Sequence, residues 1–421
     1  MVSREKTEEE EEGEKKMRKS FQPLITAVSI VLIVSFLIPV IALADESCNA
    51  IGRAKNIIFM VPDGMGLSNV TAARIFNDGP NGAPLYLETL PQIGYQRTHS
   101  ADSTVTDSAA AASAWACGKK FNNNEICCLD NNKDTVCESA PKTILEMAKE
   151  QGKATGLVAT STITHATPAV WGAHVYWRNC ETEIARQYIE ATGVDVILGG
   201  VIGSDRSACL TPSPRTAAQI ISEAQATYGY TYAVNKAEMD AAVASEKMKV
   251  LGLFGPSSGK TPETYRVDPV NYSWPSGEPT LPEMTAAALD ILEKDQDGFF
   301  LMVEGSQIDW ANHANDLSYQ IGETLAFDKA VKIVLDWINA KPMRKMQTLI
   351  IIVADHDCGG FAVNGPYGML SEAGEVVEAG WTSLDHTAQD TIIWSQGPGS
   401  NCLGKAVDNT DLYQVMKAAL K

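Results

Sequence analysis

The chain is poor in histidine and in positive charge. Six of its 421 residues are histidines, at positions 99, 165, 174, 313, 356 and 386, so any imidazole chemistry must come from a very small set. Lys and Arg number 34 against 52 Asp and Glu, for a formal net charge of -18. That balance excludes a nucleic-acid surface, because phosphate backbones need basic patches. An anionic substrate would need local cations, either metals or a placed arginine, to overcome the same field. No two C-x-x-C clusters lie close together, which excludes the usual structural zinc site. No internal repeat and no long Pro/Gly linker divides the chain after residue 44, so it reads as one large domain.

The N-terminus has two parts. Residues 1–16, "MVSREKTEEEEEGEKK", are a solvated charge run that reads as disordered, or as a false start preceding Met17. Residues 17–44 run from two basic residues through a long apolar stretch to Pro39 and Ala42-Leu43-Ala44, the anatomy of a signal peptide cleaved after Ala44. An uncleaved anchor is the alternative, since Leu24 to Ala44 is long enough to span a bilayer. Residues 45–421 are then a single periplasmic or secreted catalytic domain. Nine cysteines follow the cleavage site, namely Cys48, Cys117, Cys127, Cys128, Cys137, Cys180, Cys209, Cys358 and Cys402. Export with that count suggests disulfides, and the odd number leaves at least one thiol unpaired within the chain. Cys128 (or Cys127) with Cys137, and Cys180 with Cys209, are the expected pairs because each closes a polar loop. Cys117 reads as a small buried thiol.

Three apolar runs share one design. "NIIFMVPDG" ends at Asp63, "GFFLMVEG" at Glu304 and "TLIIIVADHD" at Asp355-His356. Continuous apolar runs are strands buried on both faces, hence a mainly parallel sheet covered by helices. Helical patterns lie between them, as in "APKTILEMAKEQG", "EIARQYIEATG", "PEMTAAALDILEKD" and "ETLAFDKAVKIVLDWINA". The expected fold is a doubly wound α/β domain with helices on both faces. Ligands bind such sheets beyond the strands' carboxyl ends, so the three carboxylates point to a common rim. The polar stretch Thr261 to Thr280 reads as a surface excursion.

Near those strand ends lie candidate ligands. Asp309 and His313, four apart, fall on one helix face. Asp355 and His356 close a strand, and His386 sits in a probable loop. Mixed His/Asp sets suit zinc, and all-oxygen sets suit magnesium. A second candidate is "TVTDSAAAASAWACGKK", an alanine-rich helix too small-sided to bury much apolar area, opening on the polar "TDS".

These segments resemble the alkaline phosphatases. "VPDGMG", "TVTDSAAAASAW", "HATPAVWGAHVYWR", "VEGSQIDWANHAND", "VADH" and "DHTAQD" occur in that family's order and context. The likeness runs from about Lys55 to the C-terminal "NTDLYQVMKAALK" and is weak between roughly Glu181 and Pro279. It implies a secreted, usually homodimeric phosphomonoesterase acting on small phosphomonoesters, with two Zn2+ and a third metal. Asp309, His313 and His386 would hold the first zinc, and Asp63, Asp355 and His356 the second. Asp63, Thr167 and Glu304 would hold a Mg2+. Ser108 matches the nucleophile, which forms a phosphoserine, and Arg178 matches the phosphate clamp.

Two positions depart from part of the family. His165 replaces an Asp and Trp310 a Lys, both beside the third site. The imidazole shifts that site toward Co2+ or Mn2+, and the missing Lys should loosen phosphate. Asp107 and Thr106 read as capping or orienting groups, Ser113 as a helix hydroxyl without a role, and His174 as a core hydrogen-bonding residue. Cys358 reads as structural or disulfide-linked, and His99 has no assignment. Phosphodiesterases, mutases and sulfatases share the superfamily, and a non-catalytic binding protein is a further alternative.

Overall fold

Strands without a polar face can be satisfied only in the middle of a covered sheet. In the computed structural model, which describes residues 52–129, 137–205, 209, 215–255 and 277–420, that is where the three apolar runs lie. The early strands are β1 (Asn56–Pro62), β2 (Gln92–Arg97), β3 (Ala154–Thr162), β4 (Val196–Gly200), β5 (Thr231–Ala233) and β6 (Val250–Phe254). β7 (Phe299–Gly305) and β8 (Thr348–Val353) follow. Two short ladders come next, with β9 (Asp357–Cys358) pairing to β12 (His386–Thr387) and β10 (Ala362–Gly365) to β11 (Glu378–Gly380). β13 (Thr391–Gln396) and β14 (Ala406–Asp408) close the set.

The main sheet runs β14-β2-β13-β8-β1-β7-β3-β4-β6-β5, and only β13 is antiparallel to its neighbours. The expected mainly parallel, doubly wound architecture is therefore observed. Every residue of β1, β7 and β8 is buried. Register decides where their ends fall. Val61 lies opposite Glu304, and Met60 opposite Ile352. The three carboxylates consequently leave the sheet at nearly one level.

Each face of the sheet has its own cover. Ile58 and Met60 join a core with the helices Leu281–Leu292 and Leu317–Asn339. Phe59, pointing to the opposite face, packs against Trp115 and Trp171 with ring centroids 5.1 and 5.0 Å away. Those tryptophans sit on two short helices, Ser108–Cys117 and Ala166–Gly172. All ten residues of the first are buried. Alanine's small side chain explains this, since a bulkier helix could not be enclosed on every side. Residues Ile51–Lys421 form one compact unit.

Cys117 is disulfide-bonded to Cys127, not a free thiol, because the helix end folds onto the segment after it and brings the two Cα atoms to 6.3 Å. Cys128–Cys137 and Cys180–Cys209 pair as expected, and Cys402 is also disulfide-bonded. Among the described residues no helix is long and apolar enough to cross a membrane. The charge run, the signal segment, Cys48 and most of the Thr261–Thr280 stretch lie outside the described residues.

The Ser108 helix ends on Gly118, whose φ of 69° favours glycine and whose added Cβ would stand 2.3 Å from the Tyr413 ring. Gly118→Ala should therefore cost about 1–3 kcal/mol through strain and overpacking. A fall in the denaturant midpoint measures this, and an unchanged midpoint would count against the packing described.

Candidate active site and metal centres

Ser108 is the first residue of its helix, and Asp107 caps it by accepting from the Ala110 N–H at 2.9 Å. The helix thereby presents its N-terminal end to the strand rim. There Ser108 Oγ lies 3.2 Å from His356 Nε2. The same nitrogen is 3.0 Å from Asp355 Oδ2 and 3.7 Å from Asp63 Oδ1. Ser108 is 2% exposed, and the other three are fully buried.

His313 and His386 belong to an adjoining group. Each directs Nδ1 at a backbone carbonyl, His313 at Leu384 and His386 at Thr106 (2.9 Å). A carbonyl only accepts, so both Nδ1 atoms carry a proton and both Nε2 atoms are turned inward. They meet Asp309, with His313 Nε2 at 3.4 Å from Oδ2 and His386 Nε2 at 3.6 Å from Oδ1. His386 also stacks on His356 at 3.5 Å between centroids. Burial and the neighbouring His356 push His386 down to about 4, which keeps it neutral, while Asp309 raises His313 to about 9.

Gly64 joins the two groups. Its N–H donates to Asp355 Oδ1 at 3.1 Å, and a Cβ there would come within 2.7 Å of Asp309 Oδ1. Only glycine admits this approach, and its φ of 68° agrees. A third group contains Asp63, Glu304 and a ring nitrogen of His165 within 4.8 Å of one another. His165, expected beside the third site, brings a ring nitrogen to this group. Trp310 packs edge-on against it at 6.1 Å. Thr167, fully buried near the start of its helix, is a neighbour of Glu304.

These groups are short of positive charge. Burial and three other carboxylates, with Asp355 foremost, push Asp63 well above the usual carboxylate range. Burial raises Glu304 to about 7. Both Asp63 oxygens, Thr167 Oγ1, Glu304 Oε1, Asp309 Oδ1 and Asp355 Oδ2 are buried without a hydrogen-bond partner. Orphaned oxygens beside inward-facing imidazoles are what a set of divalent cations requires, so the donor set fits metals.

Arg178 lies on the same rim. Nη1 donates to Asp107 Oδ2 at 2.9 Å and Nη2 to His165 Nε2 at 3.2 Å. Asp107 is therefore cap and anchor at once. A segment that sequence reasoning passed over holds both partners. The Asn124 N–H donates to Asp107 Oδ2, its carbonyl accepts from the Arg178 N–H, and Asn123 Oδ1 accepts from the Asp107 N–H. Ser113 has a role after all, since its Oγ donates to the Glu125 carbonyl and accepts from the Cys127 N–H, tying that segment to the helix. Only asparagines beside a cysteine hinted at such a turn. His174 is structural as expected, bonded to the Cys127 carbonyl and to Glu146. His99 is half exposed beside Asp408, away from these groups. Cys358 is unbonded and buried, and it faces Asp309, His313 and His386.

Residues 54–375 match the alkaline phosphatase family. The chain is 31% identical to alkaline phosphatase 3 of Bacillus subtilis over 97% of its length and 98% of the relative's. It is 32% identical to the Escherichia coli alkaline phosphatase, covering 87% and 86% of the two chains. Among solved structures, the alkaline phosphatase of the Antarctic bacterium TAB5 superposes with a TM-score of 0.70 at 29% identity, covering 88% of this chain and 99% of that one. Variants of that enzyme with one histidine replaced carry magnesium in a third metal site.

The fold and the rim of metal-type donors define a metal-dependent hydrolase of the doubly wound class. The chain belongs to the alkaline phosphatase family and is a phosphoric monoester hydrolase.

Linkage gives the buried carboxylates a measurable signature. In metal-free protein the folded state holds the Glu304 proton to about pH 7, whereas the unfolded chain releases it near 4.5. Stability from this group is complete below 4.5 and is lost as pH rises through 7. Chelated protein should lose stability across that window, and Glu304→Gln should flatten the loss by about 1 kcal/mol per pH unit. Denaturant titrations at several pH values measure this, and equal slopes would refute it.

Proposed function

We propose that the chain is an exported alkaline phosphatase that hydrolyses small phosphomonoesters through a phosphoserine on Ser108. Residues 17–44 are its signal peptide, removed after Ala44, and residues 45–421 are one catalytic domain that works in the periplasm or outside the cell. The disulfides, of a kind kept in oxidising compartments, support export. The exposed apolar side chains Tyr367, Met369, Leu370 and Val376 support a homodimer, which sedimentation tests.

One observation carries the catalytic reading. Ser108 Oγ, at the N-terminus of a buried helix, touches His356 among carboxylate oxygens that lack partners. Asp309, His313 and His386 would hold a first zinc, and Asp63, Asp355 and His356 a second. Asp63, Thr167 and Glu304 would hold a third ion. His165 at that third position favours Co2+ or Mn2+ beside Mg2+. When bound, these ions supply Lewis-acid stabilisation of the attacking and leaving oxygens and lower the pKa of coordinated hydroxyl and water.

The chain's own groups do the rest. Arg178 keeps one outward N–H on each terminal nitrogen after bonding Asp107 and His165, a pair suited to two phosphate oxygens. The helix end adds its dipole and free N–H groups. Ser108 Oγ, having given its proton to solvent water, attacks phosphorus. The Oγ–P bond forms as the ester P–O bond breaks, and the alcohol leaves with a proton taken from water. A water molecule then attacks the same phosphorus, phosphate departs and Oγ regains a proton. Burial keeps bulk water out.

Ser108→Ala should lower monoester turnover by about 10³-fold or more and abolish acid-stable labelling of the protein by phosphate. Retained turnover or label would remove the nucleophile assignment. Faster cleavage of a diester than of a monoester would move the chain to the phosphodiesterase branch. His165→Asp with Trp310→Lys should increase the response to magnesium and tighten inhibition by phosphate. Unchanged metal preference and inhibition in that double variant would refute the roles given to these two positions.

A further inference from the structure

Cys358 stands apart from every other described cysteine, because the rest are all in disulfides. A reduced thiol inside such a chain calls for a reason. Burial shields it, since Cys358 is 0% exposed. Its surroundings, however, are not those of an inert core cysteine. The β9–β12 ladder sets Cys358 directly opposite His386. Its N–H donates to the Gly64 carbonyl at 3.1 Å, which ties it to the turn that presses against Asp309. One donor atom from each of Cys358, Asp309, His313 and His386 lies within 4.8 Å of the others.

A second observation points the same way. Asp309 is 5% exposed, yet its Oδ1 has no hydrogen-bond partner, so a buried carboxylate oxygen is aimed into this group and left unpaired. The Nε2 atoms of His313 and His386 are turned toward the same carboxylate by the carbonyls of Leu384 and Thr106. Two imidazoles, one carboxylate and one sulfur make four donors of borderline-to-soft character around one point. Such a mixture suits zinc or cobalt, which would still admit a substrate or water oxygen as a further ligand, and disfavours magnesium.

We infer that Cys358 Sγ is the fourth protein donor of the first metal site, bound as a thiolate. Coordination displaces the thiol proton to solvent, and the sulfur–metal bond takes the place of the S–H bond. With Asp309 the thiolate balances the two positive charges of the ion, so the filled site is close to neutral. The chain then selects soft metals at this position more strongly than a carboxylate and two histidines would alone. This inference rests on the metal reading of Asp309, His313 and His386 given above.

Cobalt(II) tests both and keeps them distinguishable. The full-length protein, stripped by chelator and reloaded with cobalt(II), should show visible d–d bands together with an intense near-ultraviolet thiolate-to-cobalt charge-transfer band. Cys358→Ser should lose the second and keep the first, with zinc affinity weakened at least about tenfold. Cys358 is the only free thiol among the described residues, so cobalt in the other two sites does not mimic the band. The d–d bands without charge transfer in the unaltered protein, or a band that survives in Cys358→Ser, would overturn the thiolate and leave the other three ligands standing. Absence of any cobalt bands would overturn the metal site with it. The first measurement needs no variant to fold.

Discussion

The structure depends on the repulsion among four buried carboxylates. Asp63, Glu304, Asp309 and Asp355 converge at the ends of a parallel sheet where water cannot reach them, and the nearby histidines offset only part of their charge. His356 holds Asp355 ionised, while Asp63 and Glu304 are pushed upward. Neutralising carboxylates by protonation would discard the donors, and burying them bare is too costly to sustain. Divalent cations resolve both demands together. The proposed metals are thus structural counterions first and catalysts second.

Much of what directs this cluster lies in backbone rather than in side chains. The carbonyls of Thr106 and Leu384 set the tautomers of His386 and His313. Gly64 allows two donor groups to touch because it has no Cβ. Asn123 and Asn124 brace Asp107 and Arg178, and the Cys117–Cys127 disulfide ties the end of their segment to the Ser108 helix. A helix this rich in alanine can be enclosed so fully because, Trp115 apart, its side chains need little room. Its N-terminus therefore reaches the rim without a gap behind it.

Periodicity made the sheet legible. "NIIFMVP", "FFLMVEG" and "TLIIIV" have no polar alternation, so they had to be central strands, and the carboxylates after them had to share an edge. The helix spacing of Asp309 and His313 was legible for a similar local reason. Contacts between distant segments were not. Cys117 and Cys127 are ten residues apart, yet their pairing depends on how the chain doubles back after Gly118. Ser113 looked idle because its partners, Glu125 and Cys127, become neighbours only after that reversal. Cys358 was obscured by proximity to His356 along the chain. The β9–β12 pairing sets Cys358 opposite His386, and so beside a different group of donors from the one His356 joins.

Electrostatics finally separates capture of the substrate from its orientation. The chain carries a formal charge of -18, and Arg178, the cation that sequence and geometry both place at the rim, is already paired with Asp107. An arginine so neutralised can align two phosphate oxygens, but it adds little net attraction at a distance. Helix dipoles act only within the first turn. Attraction of a dianionic ester must therefore come from the cations proposed at the strand ends. In the proposed reaction Arg178 would then align a captured phosphate with Ser108. Replacing it should disturb orientation more than encounter, whereas removing the cations should abolish both.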